Sequence, residues 1–234
     1  MERVIDGSVT LDLAVKTVRE LNQFLHGDLA AAGVRRVQIE HPNGRHSLAV
    51  GLDAELQVDI LGHAGYFVAG MNKCADVTVH GNVGWSVAEN IMSGTVRIKG
   101  DASECAVASG HGGLVVIEGN ASARCGISLK GSDIVVAGNV GHASAFMAQA
   151  GRMVVCGNAG GGLGDSLYEA VIYVGGEIAS LGADAEQQVM TPEDFETVET
   201  LLQRAGLHGH HKRWKRVGSA RTLYHWNADA GHSY

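Results

Sequence analysis

The residues of this chain whose types do chemistry are a glycine cluster, several histidines, a few cysteines and scattered acids. In GNAGGGLGD, residues 157–165, Gly160, Gly162 and Gly164 alternate as in a loop that wraps a phosphate. Such a loop must run from a strand into a helix whose N-terminus faces the anion. Here SLYEAVIYVGG follows and leads back to a strand, so the run reads as a structural turn. His208, His210 and His211 are metal-ligand types, but no cysteine or carboxylate joins them at ligand spacing. His63, His80, His111 and His142 could each act as a base, yet no nucleophile or orienting acid accompanies any of them at recognisable spacing. Cys105 and Cys125 are nucleophile types set beside Ala106 and Gly126, where packing is the simpler role. The run HKRWKR, with Trp214 between Lys212 and Arg216, offers charge and a stacking ring. It is short and belongs to an acidic chain, so docking on an acidic partner subunit is expected rather than nucleic-acid binding. No catalytic, cofactor-binding or metal-binding residue is expected on this chain.

Composition sets the frame for these residues. The 234 residues are 45% hydrophobic and 18% charged with a formal net charge of −7, which suits a folded core and not a general nucleic-acid binder. No run approaches 18 apolar residues, and MERVIDGSVTLDLAV has neither a basic region nor a long apolar one, so a cytoplasmic chain without a membrane span is expected. Cys74, Cys105, Cys125 and Cys156 form no CxxC pair and read as reduced core residues. Glycine is abundant at 33 residues while proline numbers 2, and the glycines sit among Val, Ile and Ala, as many tight turns between short strands would require.

Those turns are periodic. Gly62, Gly81, Gly100, Gly119, Gly138, Gly157 and Gly176 recur every nineteen residues. From Gly81 onward each is followed by a polar residue: Asn82, Asp101, Asn120, Asn139, Asn158 and Glu177. The fourth position of each unit is small, the eighth mostly so, and a β-branched run such as VTVHG or VRIKG precedes each glycine. A fixed period near twenty is the mark of a solenoid. The expected fold is mainly β: a right-handed parallel β-helix of about seven 19-residue coils over 61–185, with strands such as Thr95–Ile98 stacked about 4.8 Å apart. The small columns let backbones approach, and the Asn/Asp column is expected to form a polar ladder. Nineteen does not divide into hexapeptides, which argues against a left-handed helix of that type. Asp76 and Asp133 share a column but lie three coils apart, about 14 Å at this spacing, too far for a convergent carboxylate pair.

The flanks differ in kind. Residues 1–60 read as a small α/β cap, with Val15, Val18, Leu21, Phe24 and Leu25 at helical spacing and two strands around the turn PNG. Residues 186–234 read as a helix capped by Thr191 and Pro192, stopped at Gly206, and a basic, aromatic tail. Caps are needed because an open solenoid end exposes core and strand edge.

Gly157-x2-Gly160-x3-Gly164 is a full G-xx-G-xxx-G unit, with partial copies at Gly81-x2-Gly84 and Gly138-x2-Gly141. Over about residues 60–185 this resembles the GXGXG family, the C-terminal β-helix domain of the glutamate synthase large chain. The tail WKRVGSARTLY is more loosely similar to the Lys/Arg-rich end of that domain. The resemblance implies a β-helix without catalytic residues that holds a glutamine-amidotransferase-like part and an FMN-binding synthase part together. A free-standing chain of this length looks like the small β-helix subunit of N-methylglutamate synthase, in which those parts are separate polypeptides. FMN and iron–sulfur groups are then expected on a partner subunit, none on this chain, and the assembly is a hetero-oligomer. A related β-helix serves as the third subunit of formylmethanofuran dehydrogenase, the other complex that the resemblance implies.

Overall fold

A computed structural model describes residues 6–27, 29, 31–208 and 213–221 of the chain. Nine parallel strands stack in chain order: β1 Ser8–Asp12, β2 Arg36–Glu40, β3 Gln57–Ile60, β4 Asp76–Val79, β5 Thr95–Ile98, β6 Leu114–Ile117, β7 Lys130–Val136, β8 Ala150–Val155 and β9 Val171–Val174. From β3 to β9 the register advances nineteen residues per strand, Val58 to Val77, Val96, Val115, Ile134, Met153 and Ile172. The fold is a parallel β-solenoid of about seven turns, with 19-residue coils as the repeat requires.

Each coil has three segments. The strand sends one column inward, and these Val, Ile and Met residues are buried. A second parallel column, Ala64, Val83, Ala102, Ala121, Val140, Ala159 and Ile178, bridges coil to coil two residues after the repeat glycine. The third segment is a ribbon in which every second residue is left-handed. Phe67, Ala69 and Met71 have φ of 59°, 52° and 56°, and Ser86, Ala88 and Asn90 repeat them one coil on. A left-handed residue other than glycine costs about 1–2 kcal/mol. The stacking holds it in place, because each amide is bound to a neighbouring coil: Phe67 N–H to Trp85 O, Ala69 N–H to Leu48 O, Met71 N–H to Glu89 O.

The polar ladder forms one corner. Asn82 Oδ1 accepts from the Asp101 N–H at 2.9 Å, Asp101 Oδ1 from the Asn120 N–H at 2.7 Å, and Asn120 Oδ1 from the Asn139 N–H at 2.9 Å. Asn139 and Asn158 extend it to the N–H of Glu177.

The sheet begins before the repeat is visible in sequence. Strands β1 and β2 are rungs of the same parallel sheet, 28 residues apart in register because the chain makes an excursion through helix α1, Val18–Leu25. Thr17 caps α1 in a capping box with Glu20, and Leu21 and Leu25 are buried. Val15 lies before the cap and is 81% exposed, so it is no part of the helix face expected of it. The second strand expected after PNG does not form. Ser47, Ala49 and Gly51 have φ of 55°, 55° and 69°, which makes this segment the first left-handed ribbon. Asn22 Nδ2 of α1 donates to Ser47 O at 2.8 Å, seating the helix on that ribbon.

After β9 the chain forms β10 Ala185–Gln188, helix α2 Pro192–Arg204 and β11 Lys215–Ser219. Strand β11 inserts between β9 and β10, antiparallel to both, and ends the parallel stack. Thr191 and Pro192 start α2 as expected, in a capping box with Asp194. Val198, Leu201, Leu202 and Ala205 pack on Leu114, Val116, Val135, Val154 and Tyr173, the outward residues of β6 to β9. This is why LVVI and VIYV lack the polar alternation of QVDI and DVTV: their strands are buried on both faces.

Candidate functional site

The solenoid distributes the chemistry-bearing residues over separate faces. Gly160, Gly162 and Gly164 lie in the turn and ribbon of one coil, and the next element is β9, with no helix to face an anion. His63 heads the polar ladder, its Nδ1 paired with the Asn82 N–H at 2.9 Å. On the outward side of the sheet, His80 Nε2 is 2.9 Å from Asp59 Oδ1, with Arg36 Nε 3.6 Å from Asp59 Oδ2. His142 Nδ1 is 3.0 Å from Gly161 O on the ribbon face. Asp76 and Asp133 lie three rungs apart on the outward side of the sheet. His208 follows α2, while His210, His211 and Lys212 lie outside the described residues, as does the tail from residue 222.

Cys125 belongs to the inward ribbon column with Val68, Val87 and Ala106, fully buried, and burial pushes its thiol up to about 12. Cys105, on the neighbouring ribbon, is also raised, by partial burial against a smaller opposing influence of Arg124. A thiol held protonated is a poor nucleophile. Among the described residues one group of His, Cys, Asp and Glu converges to metal-ligand distance, Asp12, Glu40 and His41, with His41 Nδ1 2.7 Å from Asp12 Oδ1. That group contains no thiol, and the four cysteines form no disulfide, Cys125 and Cys156 being buried and Cys74 and Cys105 half-buried.

What the surface does offer is contact area. On the ribbon face His46, Tyr66 and Trp85 stack along the solenoid, with ring centroids 4.2 Å and 5.4 Å apart and planes 16° apart in both pairs. Tyr66 and Trp85 are half-exposed. Further along the same face Ile127, Phe146, Arg124, His142 and Asp165 line a groove of about 390 Å³ with Cys105. The sequence signal for the stack was the nineteen-residue interval from Tyr66 to Trp85, aromatic on a column that is otherwise polar or small.

At the C-terminal end, two buried carboxylates tie α2 to the sheet. Asp133 on β7 accepts from Arg152 Nε at 2.7 Å, Arg152 Nη2 at 2.9 Å and Arg204 Nη1 at 2.8 Å. Asp194 accepts from the Tyr173 hydroxyl at 2.7 Å, Arg216 Nε at 3.2 Å and the Thr191 N–H at 2.8 Å. Burial raises the Asp194 carboxyl, but these hydrogen bonds and the Arg216 charge outweigh it and hold the group below the usual carboxylate range. Glu118 is similar: burial opposes, and hydrogen bonds from Lys99 and Arg97 prevail. No helix among the described residues is long and apolar enough to cross a membrane.

No protein-family model matches the chain. It is 50% identical over 225 residues to protein GlxC of Rhizobium meliloti (strain 1021), an alignment that spans 96% of this chain and 99% of that protein. Relatedness of that extent, end to end, means that the chain belongs to the family of protein GlxC.

Proposed function

We propose that this chain is the non-catalytic structural subunit of a glutamate-synthase-like complex, and within that class of N-methylglutamate synthase. The complex makes N-methylglutamate and ammonia from glutamate and methylamine. In this reading the solenoid joins an amidotransferase-like subunit to an FMN-binding subunit, and FMN and iron–sulfur groups belong to the partner. The observation that carries it is the G-xx-G-xxx-G repeat, similar to the glutamate synthase β-helix, on a chain whose parallel sheet runs from β1 to β9. A rigid stack of coils presents long faces in fixed geometry, which suits the spacing of two enzymes better than it suits a convergent site. The half-exposed aromatic stack and the ribbon groove are surfaces of the kind that partner chains cover.

The test is a native pull-down of the tagged chain from its own cell, with mass and flavin absorbance of what accompanies it. An amidotransferase-like and a flavin-binding chain, with methylamine-dependent formation of N-methylglutamate, are expected. Molybdenum- or tungsten-containing partners would assign the chain to the formylmethanofuran type instead. A chain that comes down alone would overturn the scaffold role.

A further inference from the structure

The two long faces of the solenoid treat their charges differently. On the outward side of the sheet Arg97 and Lys99 share Glu118, and Arg152 and Arg204 share Asp133. On the ribbon face Glu89, Glu104, Arg124 and Asp165 form no ion pair among the described residues. Glu104 holds the next place after Tyr66 and Trp85 in their column. Ser86 N–H donates to Glu104 O at 2.9 Å, as Phe67 N–H donates to Trp85 O at 2.8 Å one coil earlier. Tyr66 thus stacks on one side of the Trp85 ring, and the coil of Glu104 comes on the other. Glu89 lies four residues after Trp85 on the same coil, and both glutamates are half-buried. Arg124, Glu104 and Glu89 all act on the Cys105 thiol, so the three charges surround one spot. Cys105 in turn lines the groove that continues to Ile127, Phe146 and Asp165. Three carboxylates therefore face one guanidinium, on a chain whose net charge is −7. The ribbon amides are bound from coil to coil, so whatever covers this face is held by side chains and not as an added strand.

We infer that the ribbon face receives a basic segment of a partner polypeptide, with an arginine laid on the Trp85 ring against Glu104 and Glu89 and an apolar side chain beside Ile127 and Phe146. Half-buried carboxylates are costly to cover unless the cover brings a cation, which sets the sign of the segment's charge. A guanidinium suits this place better than an ammonium, because it stacks on an indole and can fork to two carboxylates. Met71, Met92 and Met147, each about half exposed on or beside the ribbons, are side chains that adapt to a partner's shape. A second copy of this chain is the poorer occupant, since a ribbon face set on its twin meets the same surplus of carboxylates. The inference rests on the reading of this chain as a subunit of a complex and specifies the chemistry by which one partner is held.

The experiment is the native pull-down repeated with a Glu89→Gln, Glu104→Gln chain, and separately with Trp85→Ala and with Arg124→Gln. Glutamine keeps the shape of glutamate, so the double variant is expected to melt with the wild type. It should recover about tenfold less of one partner chain, and Trp85→Ala should lose the same chain. Arg124→Gln, which removes the opposing cation, should hold that chain at least as well as the wild type. Glu196→Gln, Glu199→Gln takes the same charge from exposed positions of α2 and should change nothing. Should the double variant fail to fold, Trp85→Ala and Arg124→Gln carry the test on exposed positions. Full recovery of every partner by normally melting double and Trp85→Ala variants would overturn the inference while leaving the scaffold role intact. Loss of the partner with Arg124→Gln but not with the double variant would reverse the sign and overturn it too. Equal loss with the α2 control, or a self-associated form that the double variant dissolves, would count against it in the same way. A wild-type chain that recovers no partner removes the scaffold role, and this inference with it.

Discussion

Arg204 and Asp133 lie 71 residues apart in sequence, and Nη1 of Arg204 donates to Oδ2 of Asp133 at 2.8 Å. The bond joins the last turn of α2 to the middle of the sheet, where the Asp133 side chain is only 10% exposed and both its arginines are about half in water. Losing Arg204 leaves the carboxylate still held by Arg152. Losing Asp133 leaves two neighbouring cations without their shared partner. Arg204→Ala is therefore expected to lower stability by about 1 kcal/mol, discounted for solvent exposure. Asp133→Ala is expected to cost about 2 kcal/mol, below the range for a fully buried pair. Guanidinium unfolding of the two single variants and the double variant measures this. Strictly additive losses would mean that the two residues do not stabilise each other.

Asp194 gives a signed pH dependence. Its folded-state carboxyl lies below the usual range, so its contribution is complete above the unfolded value of about 4 and is lost as pH falls through the folded one. Asp12, Glu20, Glu118 and Glu193 are lowered too, so acid destabilisation is shared among them. Asp194→Asn should flatten the fall in urea midpoint below about pH 4 without abolishing it. At the other extreme, the Tyr173 hydroxyl is raised, chiefly by burial and then by its bond to Asp194. The folded state should therefore lose stability above about pH 10, where the unfolded tyrosine ionises. Tyr173→Phe should remove that alkaline component, and an unchanged alkaline limb would contradict the assignment.

How much of this was legible in sequence depended on whether a signal was periodic or tertiary. The coils from β3 to β9 could be read because Val58, Val77 and Val96 recur in step with Gly62, Gly81 and Gly100. The ladder followed from the Asn/Asp column, and Thr191-Pro192 marked the start of α2. Strands β1 and β2 were not recognisable as rungs, since α1 stretches their spacing and a short alternating run such as RVQIE carries no stacking partner in itself. The left-handed ribbons were hidden because Phe67, Ala69 and Met71 are residues that rarely take positive φ; only the stack above and below dictates it. Antiparallel β11 was read as a basic tail, KRVGS, because its role is set by the edge of β9, which local sequence does not describe. Among the chemistry-bearing residues, counting nineteens is enough to put His63, His80 and His142 at different positions of their coils, whereas the Asp133 and Asp194 networks needed the position of α2.

The thiols should separate by burial. Cys125, raised to about 12, and Cys156 are both buried, while Cys74 and Cys105 are half-buried. At pH 8 a disulfide reagent such as DTNB should titrate Cys74 and Cys105 slowly and reach Cys125 and Cys156 only on unfolding in guanidinium. Labelling of all four in the native chain at one rate would contradict the inward placement of Cys125. Cys125→Ala, which imitates Ala106 of the preceding coil, should lower stability by about 1 kcal/mol and leave the labelling of Cys105 in place.

The repeat glycines make the sharpest prediction. A Cβ at Gly138 would lie 2.6 Å from Asn120 Oδ1, 2.6 Å from Gly119 O and 2.9 Å from Gly119 C. One of these atoms belongs to a side chain and two to the backbone of the coil below, so the clash cannot be relieved by a rotamer change alone. Gly138→Ala is thus expected to cost about 3 kcal/mol, at the upper end for overpacking, because relief requires coils to part. Asn120→Ala removes the acceptor of the Asn139 N–H and should cost about 1 kcal/mol. Adding Asn120→Ala to Gly138→Ala should restore little, since Gly119 remains in the way. Thermal unfolding of the three variants decides between the two atoms: a double variant as stable as Asn120→Ala alone would mean that the Asn120 side chain, not the backbone stack, makes glycine obligatory at this corner.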